Sequence, residues 1–571
     1  MLSAECCEEP PGLLTCLRPR MHQLQVLTFR RAARRPCDWF PRKLLIEAAA
    51  EETLQDLCAV IGRGIERASA GRPRSLLVLL NPNSGHRQGR RVWRRLAEPV
   101  LAAASIKTRV WETCGPGHAS EMVAGLTAQQ LQGIDGIVCV GGDGVFHEAL
   151  NGLMAARGSA AATGDAELAA LLGALRLAHI PAGSTDAVAC TLHGTRRAFT
   201  AALHVALGDS TPLDVLRVDT PQGPKFASCI AAYGFLADVT SEAERWRWMG
   251  PLRYDVVGAA KLAVSRAYPA RIRYLEGEVA RSLSKHAHTV CTSDCGVCRA
   301  ASLVHAARMS QRHLAAASAP PALCSSSASC DGASAQDSPC LRQGRESIAG
   351  LPATGSSGSL GSSAGAHSEP HPPALQRNAA AGAAAPGPVE PGGAAAAAVR
   401  AAATAAGKSV SLGATSSCSE AHIFLRPAAE AGERHAGEGW QEITGEFCSI
   451  MLIVMPCRSD KTRSGMARFG HLADGRVKLV LVRKCSPLQY LRFLHSMSRH
   501  GCAPGQLPHV TVLDAVAVEV TPLGGSSGGV GSVGSPTSCW NLDGELVAGP
   551  DIQAEVHPGL VRVFSRGVEQ A

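Results

Sequence analysis

Long apolar runs are missing from this 571-residue sequence. None approaches the ~20 residues that a membrane-spanning helix needs, and the longest candidates, such as Ile450–Pro456, have the length of a strand. The sequence begins MLSAECCEEPPGLL, with acidic residues where a secretory signal peptide would carry basic ones. We therefore expect a reducing, cytoplasmic environment for the 21 scattered cysteines, and a soluble protein or one that contacts membranes only at their surface.

A strong excess of one charge is also absent. The net charge of +8 suits an anionic membrane surface or a polyphosphate ligand, but it is too diffuse to indicate nucleic-acid binding. The most basic segment, Arg18–Lys43, interleaves arginines with apolar residues. It is either a surface that rests on anionic lipid headgroups or a solvated basic edge. An amphipathic helix is predicted after it, at Glu51–Ile65.

Aromatic and periodic apolar residues are almost lacking between residues 300 and 437, where Ala, Ser, Gly and Pro dominate. Such a composition cannot bury enough apolar surface to fold alone. We predict a disordered insert at 300–437 and a second, smaller insert at Gly524–Ser535.

The remaining sequence predicts two kinds of lobe. Strand and helix patterns alternate in residues 71–215, which is typical of a doubly wound α/β lobe. Shorter alternating segments in residues 216–299 and 438–571 predict an all-β, sandwich-like lobe. Residues 1–70 form a separate basic N-terminal segment.

Three strand-like runs in the first lobe end in glycine-containing turns. Glycine lets the backbone approach a polar ligand closely, and the carboxyl ends of parallel strands share the edge where ligands bind. The second turn also opens a predicted helix, Val145–Met154, whose N-terminus suits phosphate. No GxxxxGK[ST] or GxGxxG motif accompanies these turns, so the sequence indicates neither a P-loop nor a dinucleotide-binding fold. By itself, a GGDG turn could also be a tight strand–helix connection that binds no ligand. The turns are Asn81–Gly85 after Leu76–Leu80, Gly141–Gly144 after Ile137–Val140, and Pro181–Asp186 after His179-Ile180.

In order, the segments NPNSGHRQG, VGGDGVFHEALNGL and IPAGSTDAVACTLHG resemble the motif set of the diacylglycerol-kinase-type lipid kinases, a superfamily that includes diacylglycerol, sphingosine and ceramide kinases. Four further segments are similar to ceramide kinases in particular. The resemblance implies a two-lobed fold with the active site in the cleft, and a pleckstrin-homology-like domain of which residues 1–70 resemble the last part. The four segments are the GSTD turn at Gly183–Asp186, RWRWMGPLRYD at Arg245–Asp255, CTSDCGVC at Cys291–Cys298 and SCWNLDGELV at Ser538–Val547.

The implied activity is transfer of the γ-phosphate of ATP, with Mg²⁺, to the primary hydroxyl of ceramide or a related sphingolipid. Val239 and Thr240 are uncharged where sphingosine kinases carry an acidic residue, which favours a neutral amide substrate. A kinase for sphingosine, another long-chain base or diacylglycerol stays an alternative. A catalytically silent relative that binds membranes or proteins is another.

The resemblance also implies roles for individual residues. Asp143 is the predicted general base, or alternatively a cap of the helix that follows it. Gly141, Gly142, Asp143 and Gly144 would border phosphate and lipid, with Asp186 near the substrate mouth. Without the resemblance, Arg247 and Arg253 would be interpreted as surface charges, and Asp543-Gly544-Glu545 as a simple hairpin turn. The predicted ATP contacts are Asn81, Pro82, Asn83, Thr113, Glu148, Gly183, Ser184, Thr185, Arg247, Arg253, Asp543, Gly544 and Glu545.

Three cysteines, Cys291, Cys295 and Cys298, have a spacing that suits metal ligation. Zinc takes four ligands, and His286 or His288 just upstream could supply the fourth. The spacing is shorter than in common zinc modules. The cluster is typical of ceramide kinases and is expected to matter for activity, with zinc as a candidate.

Overall fold

The computed structural model describes residues 3–7, 22–250, 252–264, 266–277, 288–305, 439–523, 538–547, 549 and 551–569. Apart from residues 300–305, which continue a helix from residue 296, the predicted insert at 300–437 lies outside the described residues. So does the predicted insert at Gly524–Ser535.

The described strands fall into two sheets. The strands are β1 Ser3–Cys7, β2 His22–Arg31, β3 Trp39–Ala48, β4 Ser75–Leu80, β5 Lys107–Glu112, β6 Gly136–Gly141, β7 Arg176–Pro181, β8 Ser210–Thr220, β9 Gly223–Ala227, β10 Ile230–Gly234, β11 Tyr268–Leu275, β12 Trp440–Ile453, β13 Val477–Arg483, β14 Val510–Ala515, β15 Ala517–Pro522, β16 Trp540–Leu542, β17 Glu545–Val547 and β18 Ile552–Phe564.

Apart from the helix at residues 296–305, the described α-helices are α1 Glu51–Arg67, α2 Ser84–Arg87, α3 Gly89–Val92, α4 Glu98–Ala103, α5 His118–Ala124, α6 Ala128–Leu131, α7 Asp143–Thr163, α8 Ala166–Ala174, α9 Ala187–His193, α10 Ala198–Leu207, α11 Phe235–Ala243, α12 Leu252–Val264 and α13 Pro487–His500. Most of them, α2 to α10, lie in the first lobe. A π-helical turn, Trp93–Ala97, links α3 to α4, and a 3₁₀ helix, Glu244–Met249, follows α11. None of these helices is both long and apolar enough to cross a bilayer.

The first lobe is built on four parallel strands in the order β5-β4-β6-β7. Leu76–Leu80 in β4 are all buried, because helices cover both faces of the sheet. Side chains of α5 and α7 pack on one face, and those of α4 and α10 pack on the other. The predicted doubly wound α/β lobe is confirmed.

The second lobe consists of antiparallel strands around a core that includes Tyr233, Ile450 and Trp540. The first and second lobes are joined by one long strand, β18. The amino-terminal part of β18 pairs with β15, and Arg562 and Val563 near its end pair in parallel with β7. The sheet therefore runs on from the first lobe into the second, and β8, which pairs along β18, spans the boundary that we predicted at residues 215/216.

Two of the alternating segments of the second lobe are interrupted in the structure. The segment Phe226–Ala232 divides into β9 and β10, because the backbone N–H groups of Ser228 and Cys229 donate to Asp543 and not to a neighbouring strand. The segment Val510–Val520 divides at Val516, which bonds to Leu275 and Val556 through its own N–H and C=O.

The N-terminal segment forms the antiparallel sheet β1-β2-β3, against which α1 packs. Trp39 fastens this sheet to the first lobe. Its backbone N–H donates to Thr200 Oγ1 at 3.1 Å, and its ring meets the His204 ring edge-on. The predicted helix at Glu51–Ile65 corresponds to α1, and the likeness to a pleckstrin-homology-like domain stays a prediction.

Candidate active site

The three glycine turns lie against one another at the carboxyl end of the parallel sheet. A Cβ placed on Gly183 would come within 2.6 Å of the Gly142 Cα, and one on Gly85 within 2.7 Å of the Ala182 carbonyl oxygen. A Cβ on Gly141 would come within 2.9 Å of Ser84 Oγ. Contacts this short require glycine, so the turn sequences make the junction of the three loops possible.

Asp143 stands at the centre of this junction, as the first residue of α7. Its carboxylate does not cap α7. It accepts hydrogen bonds from the backbone N–H groups of Ala187 at 2.8 Å and Val188 at 3.0 Å, at the N-terminus of α9. His179 Nδ1 lies 3.8 Å from Asp143 Oδ1 on the buried side. The carboxylate is thus fixed in direction while its side chain keeps 20% exposure.

Asp186 holds the third turn together from within. It has a left-handed backbone (φ 50°), and its side chain accepts from the Gly183 N–H at 2.9 Å. Burial raises the pKa of its carboxyl group, while the positive charge of Arg196 opposes that rise. Arg196 also donates to the Gly183 carbonyl at 2.8 Å and reaches Asp460 of the second lobe at 2.8 Å. One guanidinium group therefore ties the turn to both lobes.

A second connection between the lobes runs through His147 of α7. Its Nδ1 lies 3.5 Å from Asp543 Oδ2, and its Nε2 lies 3.4 Å from Glu545 Oε2. Burial by itself would lower the pKa of His147, but hydrogen bonds with these two carboxylates raise it to about 9. His147 is therefore protonated at neutral pH. The ion pair joins α7 to the hairpin formed by β16 and β17.

Asp543 is almost completely enclosed. Its carboxylate accepts from the backbone N–H groups of Ser228, Cys229 and Ile230 at 2.7 to 2.9 Å. Burial acts to raise its pKa, yet the His147 bond and these amides leave the pKa lowered. Glu545 keeps 43% exposure of its side chain. Asp543 and Gly544, both with positive φ, form the two-residue hairpin loop that local chemistry alone would suggest.

The other predicted ATP contacts differ in how exposed their side chains are. Ser184 and Thr185 are exposed, and Thr113 is buried. Asn81 Oδ1 accepts from the Asn83 N–H at 2.9 Å within the first turn. Their roles stay predictions, as do those of all the nucleotide and lipid contacts named above.

Glu148 and the arginine pair make local contacts. Glu148 Oε2 accepts from the Ala119 N–H at 3.0 Å, at the start of α5. Arg253 donates to the Gly250 carbonyl at 3.1 Å and to the Tyr254 hydroxyl at 2.9 Å. The side chain of Arg247 lies outside the described residues.

The three predicted cysteine ligands come together with a histidine that the sequence did not indicate. Cys291, Cys295, Cys298 and His471 place their ligand atoms within 4.8 Å of one another. Of the histidines proposed from the sequence, His286 lies outside the described residues, and the ring of His288 packs edge-on against Phe469.

Sequence reasoning missed three residues at these sites: His147, Arg196 and His471. His147 sits inside the second motif, so its position within VFHEALNGL was an available signal. Arg196 and His471 stand in no recognisable pattern, because each finds its partners only when distant segments meet.

The two lobes, the junction of the glycine turns and the anchored Asp143 together form the arrangement that the motif resemblance implied. Residues 75–218 match the diacylglycerol kinase catalytic domain, and this match, with the relatives reported below, indicates an ATP-dependent lipid kinase.

Over most of its length the chain is similar to ceramide kinases. Residues 396–571 match the ceramide kinase C-terminal domain. The chain is 27% identical over 552 residues to the ceramide kinase of Homo sapiens, covering 91% of this chain and 79% of that protein. The ceramide kinase of Mus musculus is 26% identical over 546 residues, covering 91% and 80%. That of Arabidopsis thaliana is 23% identical over 627 residues, covering 97% and 84%. The resemblance to ceramide kinases is confirmed.

Proposed function

We propose that the protein transfers the γ-phosphate of ATP to the primary hydroxyl of ceramide, giving ceramide 1-phosphate. Support for ceramide comes from relatives of that name, which align with nine-tenths of the chain, and from its C-terminal domain. The observation that carries the proposal is Asp143, held by two amides where the three glycine turns meet.

Asp143 is the proposed general base. Phosphoryl transfer needs an acceptor hydroxyl placed in line with the γ-phosphate and a group that orients it or takes its proton. The two N–H bonds from α9 leave the carboxylate no freedom to turn away, and its partial exposure keeps it within reach of a substrate. The turn amides and the positive end of α7 would face the phosphates.

Mg²⁺ is the proposed metal cofactor. It would neutralise phosphate charge during transfer. Among the carboxylates of the site, Glu545 has the exposure to meet it, whereas Asp543 is occupied by backbone amides. We therefore assign Glu545 to the metal and Asp543 to positioning the hairpin that carries it.

We further propose peripheral contact with an anionic membrane through an apolar patch beside the second lobe. Trp246, Trp248, Leu252 and Val256 are 41%, 78%, 57% and 46% exposed. Tryptophan suits the boundary between lipid and water, and such a patch would otherwise be a liability in solution. Trp248→Ala should weaken binding to anionic vesicles in a sedimentation assay. The exposed Val60→Ala in α1 is the control, and equal binding of both variants would contradict this assignment.

The function is tested with labelled ATP and with ceramide, sphingosine and diacylglycerol in separate mixed micelles. Wild type should label ceramide most strongly. Asp143→Asn should lower that rate at least about 10²-fold, the usual contribution of a general base, while ATP still binds.

Other outcomes have distinct meanings. Preferential labelling of sphingosine or diacylglycerol would keep the lipid kinase and refute ceramide as the substrate. ATP binding without any labelled lipid would favour the silent relative.

A further inference from the structure

Three thiols and one imidazole form a compact group away from the glycine turns. Cys291 Sγ and Cys298 Sγ are 3.7 Å apart, Cys295 Sγ lies 3.4 Å from His471 Nδ1, and Cys298 Sγ lies 3.9 Å from the same nitrogen. Cys291, Cys298 and His471 are buried, and Cys295 is partly buried. The two parts of this group come from distant segments, since His471 belongs to the loop between β12 and β13.

These separations match the edges of a tetrahedral zinc site. Zinc–sulfur bonds of about 2.3 Å and zinc–nitrogen bonds of about 2.0 Å put two sulfurs about 3.8 Å apart, and a sulfur and a nitrogen about 3.5 Å apart. The observed 3.7 Å and 3.4 Å fall close to these values, and the 3.9 Å between Cys298 Sγ and His471 Nδ1 is about 0.4 Å longer than a sulfur–nitrogen edge. A disulfide between Cys291 and Cys298 would need a sulfur–sulfur distance near 2.05 Å.

The imidazole of His471 is set up to ligate through Nδ1. Its other nitrogen, Nε2, lies 3.5 Å from the Thr289 hydroxyl oxygen. A ligating histidine commonly uses its second nitrogen in this way, which fixes the tautomer and the ring direction.

We propose that Cys291, Cys295, Cys298 and Nδ1 of His471 bind one structural zinc ion. Four protein ligands leave no open position for substrate, so the ion would serve stability. Binding replaces the three thiol protons, which leave to solvent.

The zinc would fasten the segment that carries the three thiols to the loop that carries His471. Near the thiols, Ser293 pairs with Gly567 close to the end of the chain, and the Asp294 N–H donates to the Arg566 carbonyl at 3.0 Å. The loop that carries His471 also carries Asp460, the partner of Arg196. Zinc at this site would therefore steady the loop that supports the third glycine turn.

The test measures metal in the purified full chain, expressed with added zinc, by elemental analysis. Wild type should hold about one zinc per chain, and Cys295→Ala and His471→Ala less than about a fifth of that. His471→Cys, which supplies a fourth thiolate, should restore binding. Cys502→Ala removes a buried thiol outside the group and should leave the zinc content unchanged.

Cobalt(II) exchanged into wild type gives an independent reading, because tetrahedral cobalt bound to thiolates absorbs strongly. This reading decides the question even if the variants fail to fold. Wild type that holds no zinc and gives no thiolate–cobalt absorption would overturn the proposal. So would zinc retained in full by both Cys295→Ala and His471→Ala, or a Cys291–Cys298 disulfide found by mass spectrometry under non-reducing conditions.

Discussion

The pairing of His147 with Asp543 and Glu545 makes the contact between the lobes dependent on pH. The change that tests it is His147→Gln, which keeps a polar side chain and removes the positive charge. In the wild type, two carboxylates hold the pKa of His147 at about 9, above its ordinary 6.5. The variant leaves Asp543 buried without its cation, although three backbone N–H groups still donate to it.

The size of the effect follows from the pKa. A tenfold change in protonation is worth about 1.4 kcal/mol, so a rise from 6.5 to about 9 corresponds to about 3 kcal/mol of stabilisation. A raised pKa stabilises the folded protein fully below pH 6.5, and the contribution is lost as the pH rises through about 9. The pKa values of Asp543 and Glu545 are lowered in the folded protein, so the stability that these carboxylates contribute is lost as the pH falls.

Urea unfolding of wild type and His147→Gln at two pH values measures this directly. We expect the variant to be about 2–3 kcal/mol less stable at pH 6 and less than about 1 kcal/mol less stable at pH 10. Glu545→Gln should cost less at pH 6, because the Glu545 side chain is 43% exposed. A penalty for His147→Gln of the same size at both pH values would refute the ion pair and indicate a packing role.

Two further changes probe the glycine junction and its support. Gly183→Ala should destabilise the fold by about 1–3 kcal/mol and abolish ATP binding, because its Cβ would lie 2.6 Å from the Gly142 Cα. The control is Gly158→Ala in α7, where a Cβ meets nothing within 4 Å. In the same urea assay this control should stabilise the protein by about 0.5–1 kcal/mol. Arg196→Ala should lower the free energy of unfolding by about 2 kcal/mol and raise the KM for ATP, because it leaves the buried Asp186 carboxylate without its cation. Adding Asp186→Asn removes that buried charge and should recover part of the stability. No recovery in the double variant would contradict this account.

The local parts of the fold could be predicted from the sequence because they depend on neighbouring residues. The strand-like run Leu76–Leu80 lies within one residue of the bounds of β4, and the predicted helix Glu51–Ile65 lies within two residues of the bounds of α1. The glycine turns after β4, β6 and β7 were found in the same way. In each case short-range hydrophobic patterns and turn chemistry decide the outcome.

What the sequence determined by itself was therefore the two kinds of lobe, the three turns and the carboxylate at their centre. Tertiary structure alone decided which distant groups complete the sites. Asp543 is 396 positions from His147, Asp460 is 264 from Arg196, and His471 is 176 from Cys295. No local pattern encodes such pairs, because their side chains meet only after β18 has joined the two lobes into one sheet and brought their loops together.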